Sequence, residues 1–478
     1  MNTITLPTSE LKSALHGLGK IINKRSTLPA LSCVKVSRVD GKVTFQATDF
    51  DAFATYTSLH SQPGKSVEVL IPYEQLSKAV KCSKKEDVTV LQDGKESSMR
   101  YYVGGSPVEQ PVSAASAAEW RPTPQITADS TTLEPGFGEA LRQAMKCCSN
   151  DSSRVILNGA CLDAREPKSH YIVGTNGRFL YSANSFHFGF KDDVVIPNSR
   201  FITGSELLDT ECTIAIQPGK KPDDAKYICF KNDRWEYIVR EVQGKFPNWK
   251  QVVPTVNGDW TKVELPQPAV DQMLKVIPNL PGFDGDSNAI RLCLEKMLKV
   301  EAKSKGSGEW TKVNLCEVEL VGKPKTICLN RDNLFLALKF GLTELAVLDE
   351  LSPMIVKKDG KQIVMMPVRP PVITTVSASA PPSQAVPTTS TTTPTERTTM
   401  PRKASIQTPT SENEPAQGSA LTSVIGHVEK IRESLRTMLQ GFNDVTTALK
   451  LAEREKKTTE KEIESVRASL RKIQNVTI

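Results

Sequence analysis

The chain has 478 residues, 38% of them hydrophobic but only 6% aromatic, and its 61 Lys and Arg against 54 Asp and Glu give a formal net charge of +7. That length suffices for about three to four domains. The lean aromatic content implies that part of the chain is unpacked, and so mild a charge does not diagnose nucleic acid unless the positives are concentrated locally. The ten cysteines form no CxxC pair and show no metal spacing, and MNTITLPTSE does not read as a signal peptide. No apolar run approaches the ~18 residues that span a membrane. A soluble cytoplasmic protein with reduced thiols, no metal, no cofactor and no membrane partner is expected.

In chain order, Leu11, Leu15, Leu18, Ile21 and Ile22 mark one face of a first helix, with Ser9 as its N-cap. Strands over 31–39 and 42–49 flank an Asp40-Gly41 hairpin turn. A second helix follows Pro72, then strands over 87–94 and 98–105. The pattern then starts again. Phe137, Leu141 and Met145 give a helix with one apolar face. A strand alternates through Val155, Leu157 and, past the Asn158-Gly159 turn signal, Cys161. Its partner carries Tyr171, Val173 and Thr175 into a turn at Asn176-Gly177. The segment 194–208 stands in the place of 69–80, and the pairs Ile71-Pro72 and Ile196-Pro197 lie 125 residues apart (196 − 71).

A third round has a helix over 268–280, strands over 289–303 and 310–320, then the segments 326–340 and 353–369, with Asn330 where the earlier rounds have proline. Self-similarity at a fixed period is stronger fold evidence than any single motif. It predicts an α+β fold of three similar domains, 1–127, 128–258 and 259–370, each with two helices on antiparallel sheet. Beyond Arg369 the composition changes: residues 371–420 hold 27 Pro, Ser or Thr and no aromatic. Such a stretch cannot bury enough surface to offset its ordering entropy and reads as a disordered linker. Over 421–478, apolar residues from Leu421 through Ala452, and again from Ile463 to Ile473, keep three-four spacing, the pattern of a coiled coil.

Catalytic signatures are missing. The five histidines sit in no HExxH, there is no GxSxG, and Pro63-Gly64-Lys65-Ser66 imitates a P-loop end with Leu59 where its first glycine is required. No catalytic residue is assigned, and a non-enzymatic protein is expected.

Four segments together resemble the bacterial DNA sliding clamp, the beta subunit of DNA polymerase III. They are Arg25-Ser26-Thr27-Leu28-Pro29 followed by Ala47-Thr48-Asp49, Leu157-Asn158-Gly159 with Thr175-Asn176-Gly177, Gly244-Lys245-Phe246-Pro247-Asn248-Trp249, and Met366-Pro367-Val368-Arg369. The resemblance covers residues 1–370. It implies a head-to-tail ring of two chains around double-stranded DNA, tethering a polymerase and accepting a clamp loader. Lys12, Lys20, Lys24, Arg25, Lys81, Arg142 and Lys146 would face DNA, Arg25 standing at the family's DNA-contacting arginine. A peptide pocket would use Leu157, Thr175, Gly177, Arg178, Leu180, Pro247, Val252, Asn330, Val364, Met366, Pro367, Val368 and Arg369. Arg178-Phe179 replaces the usual His-Arg there, and Gln251 replaces an Arg. The competing reading, prompted by the tail, is a coiled-coil scaffold or regulator that uses the clamp fold to assemble or to compete for clamp partners; 421–478 would bind itself or another coiled coil.

Overall fold

The computed structural model describes residues 2–94, 96–112, 120–219, 221, 224–281, 288–303 and 309–368. The chain divides into a compact unit, Met1–Ala378, and a second, Ser379–Ile478. The linker and the coiled coil expected over 371–478, like Arg369, lie outside the described residues.

The compact unit runs through one order of elements three times. The first pass is β1 (Asn2–Leu6), α1 (Thr8–Leu18), β2 (Cys33–Val39), β3 (Lys42–Thr48), β4 (Ala52–Thr57), β5 (Val67–Pro72), α2 (Tyr73–Ser83), β6 (Val88–Asp93), β7 (Glu96–Val103) and β8 (Ser106–Pro111). The second is β9 (Ser130–Thr132), α3 (Phe137–Lys146), β10 (Gly159–Asp163), β11 (His170–Thr175), β12 (Phe179–Phe186), β13 (Val194–Pro197), α4 (Arg200–Gly204), β14 (Thr213–Gln217), β15 (Tyr227–Lys231) and β16 (Trp235–Arg240). The third is β17 (Thr261–Glu264), α5 (Gln267–Val276), β18 (Ala289–Leu294), β19 (Met297–Ala302), β20 (Thr311–Glu317), the short β21 (Leu320–Val321), β22 (Lys325–Asn330), α6 (Arg331–Lys339), β23 (Glu344–Val347), β24 (Met354–Lys358) and β25 (Lys361–Met365). With β21 set aside, each pass reads strand, helix, four strands, helix, three strands.

Each pass builds two four-stranded antiparallel sheets in the same internal order, and the sheets of successive passes fuse. The run β5-β2-β3-β4 continues into β16-β15-β14-β9, and β13-β10-β11-β12 continues into β25-β24-β23-β17. At the first junction Tyr56 faces Trp235 and Ala54 faces Tyr237; at the second Leu180 faces Val364 and Tyr181 faces Ile363. Two four-stranded sheets remain separate, β1-β6-β7-β8 and β20-β19-β18-β22. Their end strands, β8 and β20 as well as β1 and β22, have no further strand beside them among the described residues.

Helices pack in pairs within each pass, α1 on α2, α3 on α4 and α5 on α6, and α1 also meets α4 across the first junction. Leu11, Ala14 and Leu18 of α1 and Leu76 and Ala79 of α2 are fully buried, so the apolar stripe of each helix is spent on the sheets below. Close approach is built in at Gly17, where a Cβ would overlap the Trp235 ring.

Three local expectations are corrected. Pro7, not Ser9, stands at the N-cap of α1, with no side-chain cap. Val155–Leu157 is a 3-10 turn rather than a strand. There Asp151 Oδ1 accepts from Ser153 N, and Leu157 N and Asn158 N donate to the carbonyls three residues back, at 2.9 and 3.0 Å. Strand β10 begins only at Gly159, so Asn158-Gly159 is an entry and not a hairpin turn. Finally, α4 has five residues, because Ser205 leaves the helical conformation and restarts a separate turn by accepting from Leu207 N.

Candidate functional site

The turn between β11 and β12 is set by its own polar side chains. Asn176 Oδ1 accepts from Arg178 N and Phe179 N at 2.9 and 3.1 Å, and Thr175 Oγ1 donates to the Phe179 carbonyl at 2.7 Å. Gly177 supplies the left-handed φ of 85° this turn needs. Beside it β25 ends, its successor Met366 donating its N–H to the Arg178 carbonyl at 3.2 Å. A 3-10 turn, Trp249–Val252, closes the third side.

These pieces enclose a cavity of about 160 Å³ lined by Leu157, Thr175, Gly177, Arg178, Phe179, Leu180, Pro247, Asn248, Trp249, Val252, Val364 and Met366. Leu157, Leu180 and Val364 are buried and belong to an apolar cluster with Phe246, Trp249 and Trp260. Val252 and Met366 are 54% and 47% exposed, so they form a rim that a ligand would cover rather than a piece of the core. A concave apolar floor under an adaptable methionine suits an apolar side chain of a bound peptide.

One wall is held from behind. Trp249 Nε1–H donates to Asp163 Oδ2 at 2.9 Å, and the Arg165 guanidinium grips both oxygens of the same carboxylate at 2.9 and 2.7 Å. Burial opposes charge on Asp163, but the hydrogen bonds from Arg165 and Trp249 win, and its pKa lies below the ordinary carboxylate value. Lys250 adds an ion pair to Glu166 at 2.7 Å and lies 5.1 Å from the Tyr171 ring centroid.

Nine expected pocket residues thus meet at one cavity: Leu157, Thr175, Gly177, Arg178, Leu180, Pro247, Val252, Val364 and Met366. Three others are placed differently. Asn330 caps α6, its side chain accepting from Asp332 N and Asn333 N at 2.8 and 3.3 Å. Val368 N donates to the Cys328 carbonyl of β22 at 2.9 Å, and neither Val368 nor the half-buried Pro367 lines the cavity. Sequence reasoning missed Phe179, Asn248 and Trp249. The last two lie inside the Gly244–Trp249 segment and were legible there as part of the same motif.

The basic residues differ in how free they are. Arg25, Lys12, Lys24, Lys81 and Lys146 are exposed, on or just after helices. Lys12 reaches the Lys84 carbonyl at 3.3 Å, Lys24 reaches Glu74 at 3.5 Å, and Lys146 lies 6.0 Å from the Phe340 ring centroid. Arg142 is paired with Asp209. Lys20 donates to the Gly204 carbonyl and lies 3.0 Å from His16 Nε2. Burial, partly opposed by Glu206, lowers the pKa of Lys20.

Among the described residues no group of three or more His, Cys, Asp or Glu could hold a metal, and no helix is long and apolar enough to cross a membrane. Burial pushes the Cys148 thiol up to about 12.

Residues 2–103 match the family model of the DNA polymerase III beta subunit, N-terminal domain. The DNA polymerase III beta subunit of Thermotoga maritima is similar in structure, with a TM-score of 0.64 at 20% identity over 77% of this chain and 100% of that one. The sliding clamp of Bacillus subtilis gives 0.66 at 17% identity, over 77% and 99% of the two chains. The DnaN sliding clamp of Bartonella birtlesii, bound to griselimycin, gives 0.66 at 19%, again over 77% and 99%. No curated protein matches the sequence. The fold is that of the sliding clamps.

Proposed function

We propose, from the sliding-clamp fold this chain carries, that it is a non-catalytic processivity clamp: two copies close head to tail around duplex DNA. The observation that carries this reading is the rule by which the passes join. The last strand of one pass's first sheet pairs with the last strand of the next pass's second sheet, β4 with β16 and β12 with β25. Applied once more, the rule brings β20 of one copy to β8 of another. Repeated by the second copy, it closes a ring of six passes in which β8 and β20 are no longer open edges.

In this reading Arg25, Lys24, Lys12, Lys81 and Lys146 supply solvated charge toward phosphates. The apolar cavity between the second and third passes takes a short apolar peptide from a polymerase or clamp loader, and the griselimycin-bound relative supports a ligand-binding role for this fold. Residues 421–478, through their heptads, add self-association or a coiled-coil partner. The test is primer extension by a polymerase bearing an apolar clamp-binding peptide, with a loader and this protein. Longer products, shortened again by excess free peptide, are expected; unchanged product length would refute the tethering role.

A further inference from the structure

The outer face of β8 is short of hydrogen-bond donors. Just past the strand, Val112 N donates to the Ser97 carbonyl at 2.8 Å. The register pairs Gln110 with Met99, Val108 with Tyr101 and Ser106 with Val103 without a shift. Because backbone groups alternate in direction along a strand, the even-numbered residues point their N–H and C=O at β7. Pro107, Glu109 and Pro111 therefore turn theirs to the open edge. Two of these three have no N–H to give. The Pro111 carbonyl is also occupied, accepting from Gln75 Nε2 of α2 at 2.8 Å.

What remains for a neighbouring strand is one donor, Glu109 N–H, and two acceptors, the Pro107 and Glu109 carbonyls. The two fused junctions are different: over their paired residues β4, β16, β12 and β25 contain no proline. Edge prolines are a known way to weaken strand pairing.

We propose that the joint between β8 and β20 of a second copy is built donor-poor by Pro107 and Pro111, making it the weak seam at which the assembled ring opens and exchanges subunits. This rests on the ring reading above and adds what that reading does not contain: a chain-encoded limit on the stability of the seam. The strand β20, TKVNLCE, has no proline and supplies most of the donors. The dimer thus depends on one-sided hydrogen bonding, supplemented by side chains.

The experiment uses the full chain and a P107T/P111T variant, with subunit exchange followed by fluorescence and dimer dissociation by sedimentation. Each restored N–H is worth about fivefold and the ring has two such seams, so the double variant, with four N–H groups restored per dimer, should bind itself on the order of several hundredfold more tightly and exchange correspondingly more slowly. The single P107T variant leaves the Gln75 anchor untouched and should give an intermediate gain, which guards against a folding defect in the double variant. Dimers whose dissociation and exchange match the parent within twofold in both variants would overturn the donor-poor seam while leaving the ring intact. Chains that stay monomeric in every form at high micromolar concentration would overturn the ring reading and the seam with it.

Discussion

Trp249 Nε1–H donates to Asp163 Oδ2 at 2.9 Å across 86 residues of sequence, joining the wall of the apolar cavity to an ion-paired carboxylate. The tryptophan has one face on the ligand space and its polar edge on Arg165's partner. Replacing it with phenylalanine keeps most of the apolar area and removes the bond, so W249F should lose about 1.5–3 kcal/mol of stability at neutral pH, read by urea unfolding. The Asp163 pKa lies below the ordinary carboxylate value when folded. Its stabilisation is therefore fully present above the unfolded-state value of about 4 and is lost as pH falls from there through the depressed folded value. W249F should lose stability less steeply than the parent over that acidic window; an identical slope would remove Asp163–Trp249 as a pH-sensitive pair.

The rim residues separate binding from folding. Val252 and Met366 are about half exposed, so V252E and M366E should leave the unfolding midpoint nearly unchanged. Each should weaken an apolar peptide by on the order of thirtyfold, the ~2 kcal/mol of a buried anchor. Leu180, by contrast, is buried in the floor, and L180A should cost about 2–4 kcal/mol of stability. Fluorescence anisotropy with a labelled peptide distinguishes the two classes.

The pocket shows what a sequence can and cannot disclose. Strand β11 and its turn were readable because the alternation of Val173 and Thr175 and the Asn176-Gly177 signal are local. Val155 misled because its spacing to Leu157 is that of a strand, whereas Asp151 and the following turn bonds wind the segment into a 3-10 helix and leave Val155 exposed. Asn330 aligns with the repeat's proline, yet its side-chain oxygen is spent on the N-cap of α6, a local role that its place in the repeat does not reveal. The pairing of β4 with β16 and of β12 with β25 was not legible at all. Partners about 180 residues apart are chosen by edge matching, and no local pattern encodes that choice.

Packing at the first junction is testable at Gly17. A methyl group there would overlap the Trp235 ring, whose own Tyr56 neighbour lies 4.9 Å away centroid to centroid. G17A should therefore destabilise by about 1–3 kcal/mol despite alanine's higher helix propensity. A stabilised variant would show that α1 and β16 are less tightly packed than described.

Among the basic residues, freedom from protein partners predicts the contribution to DNA. Arg25 is exposed, and Lys24 is exposed with an exposed ion pair to Glu74 and the Tyr73 ring centroid 5.2 Å away, whereas Lys20 is held by the Gly204 carbonyl. Under conditions where DNA is not threaded, R25A and K24A should each lower the slope of log affinity against log salt by about one unit, and K20A by less. A triple variant with an unchanged slope would take the segment after α1 off the DNA.

The encirclement of DNA itself is tested most directly by retention. The protein is loaded on a nicked circular duplex, moved to high salt, and its residence followed before and after a single restriction cut. A closed ring is held by topology, so it should remain on the circle in salt that abolishes phosphate contacts and leave promptly from the linear ends. Equal, salt-driven loss from circular and linear DNA would contradict the clamp.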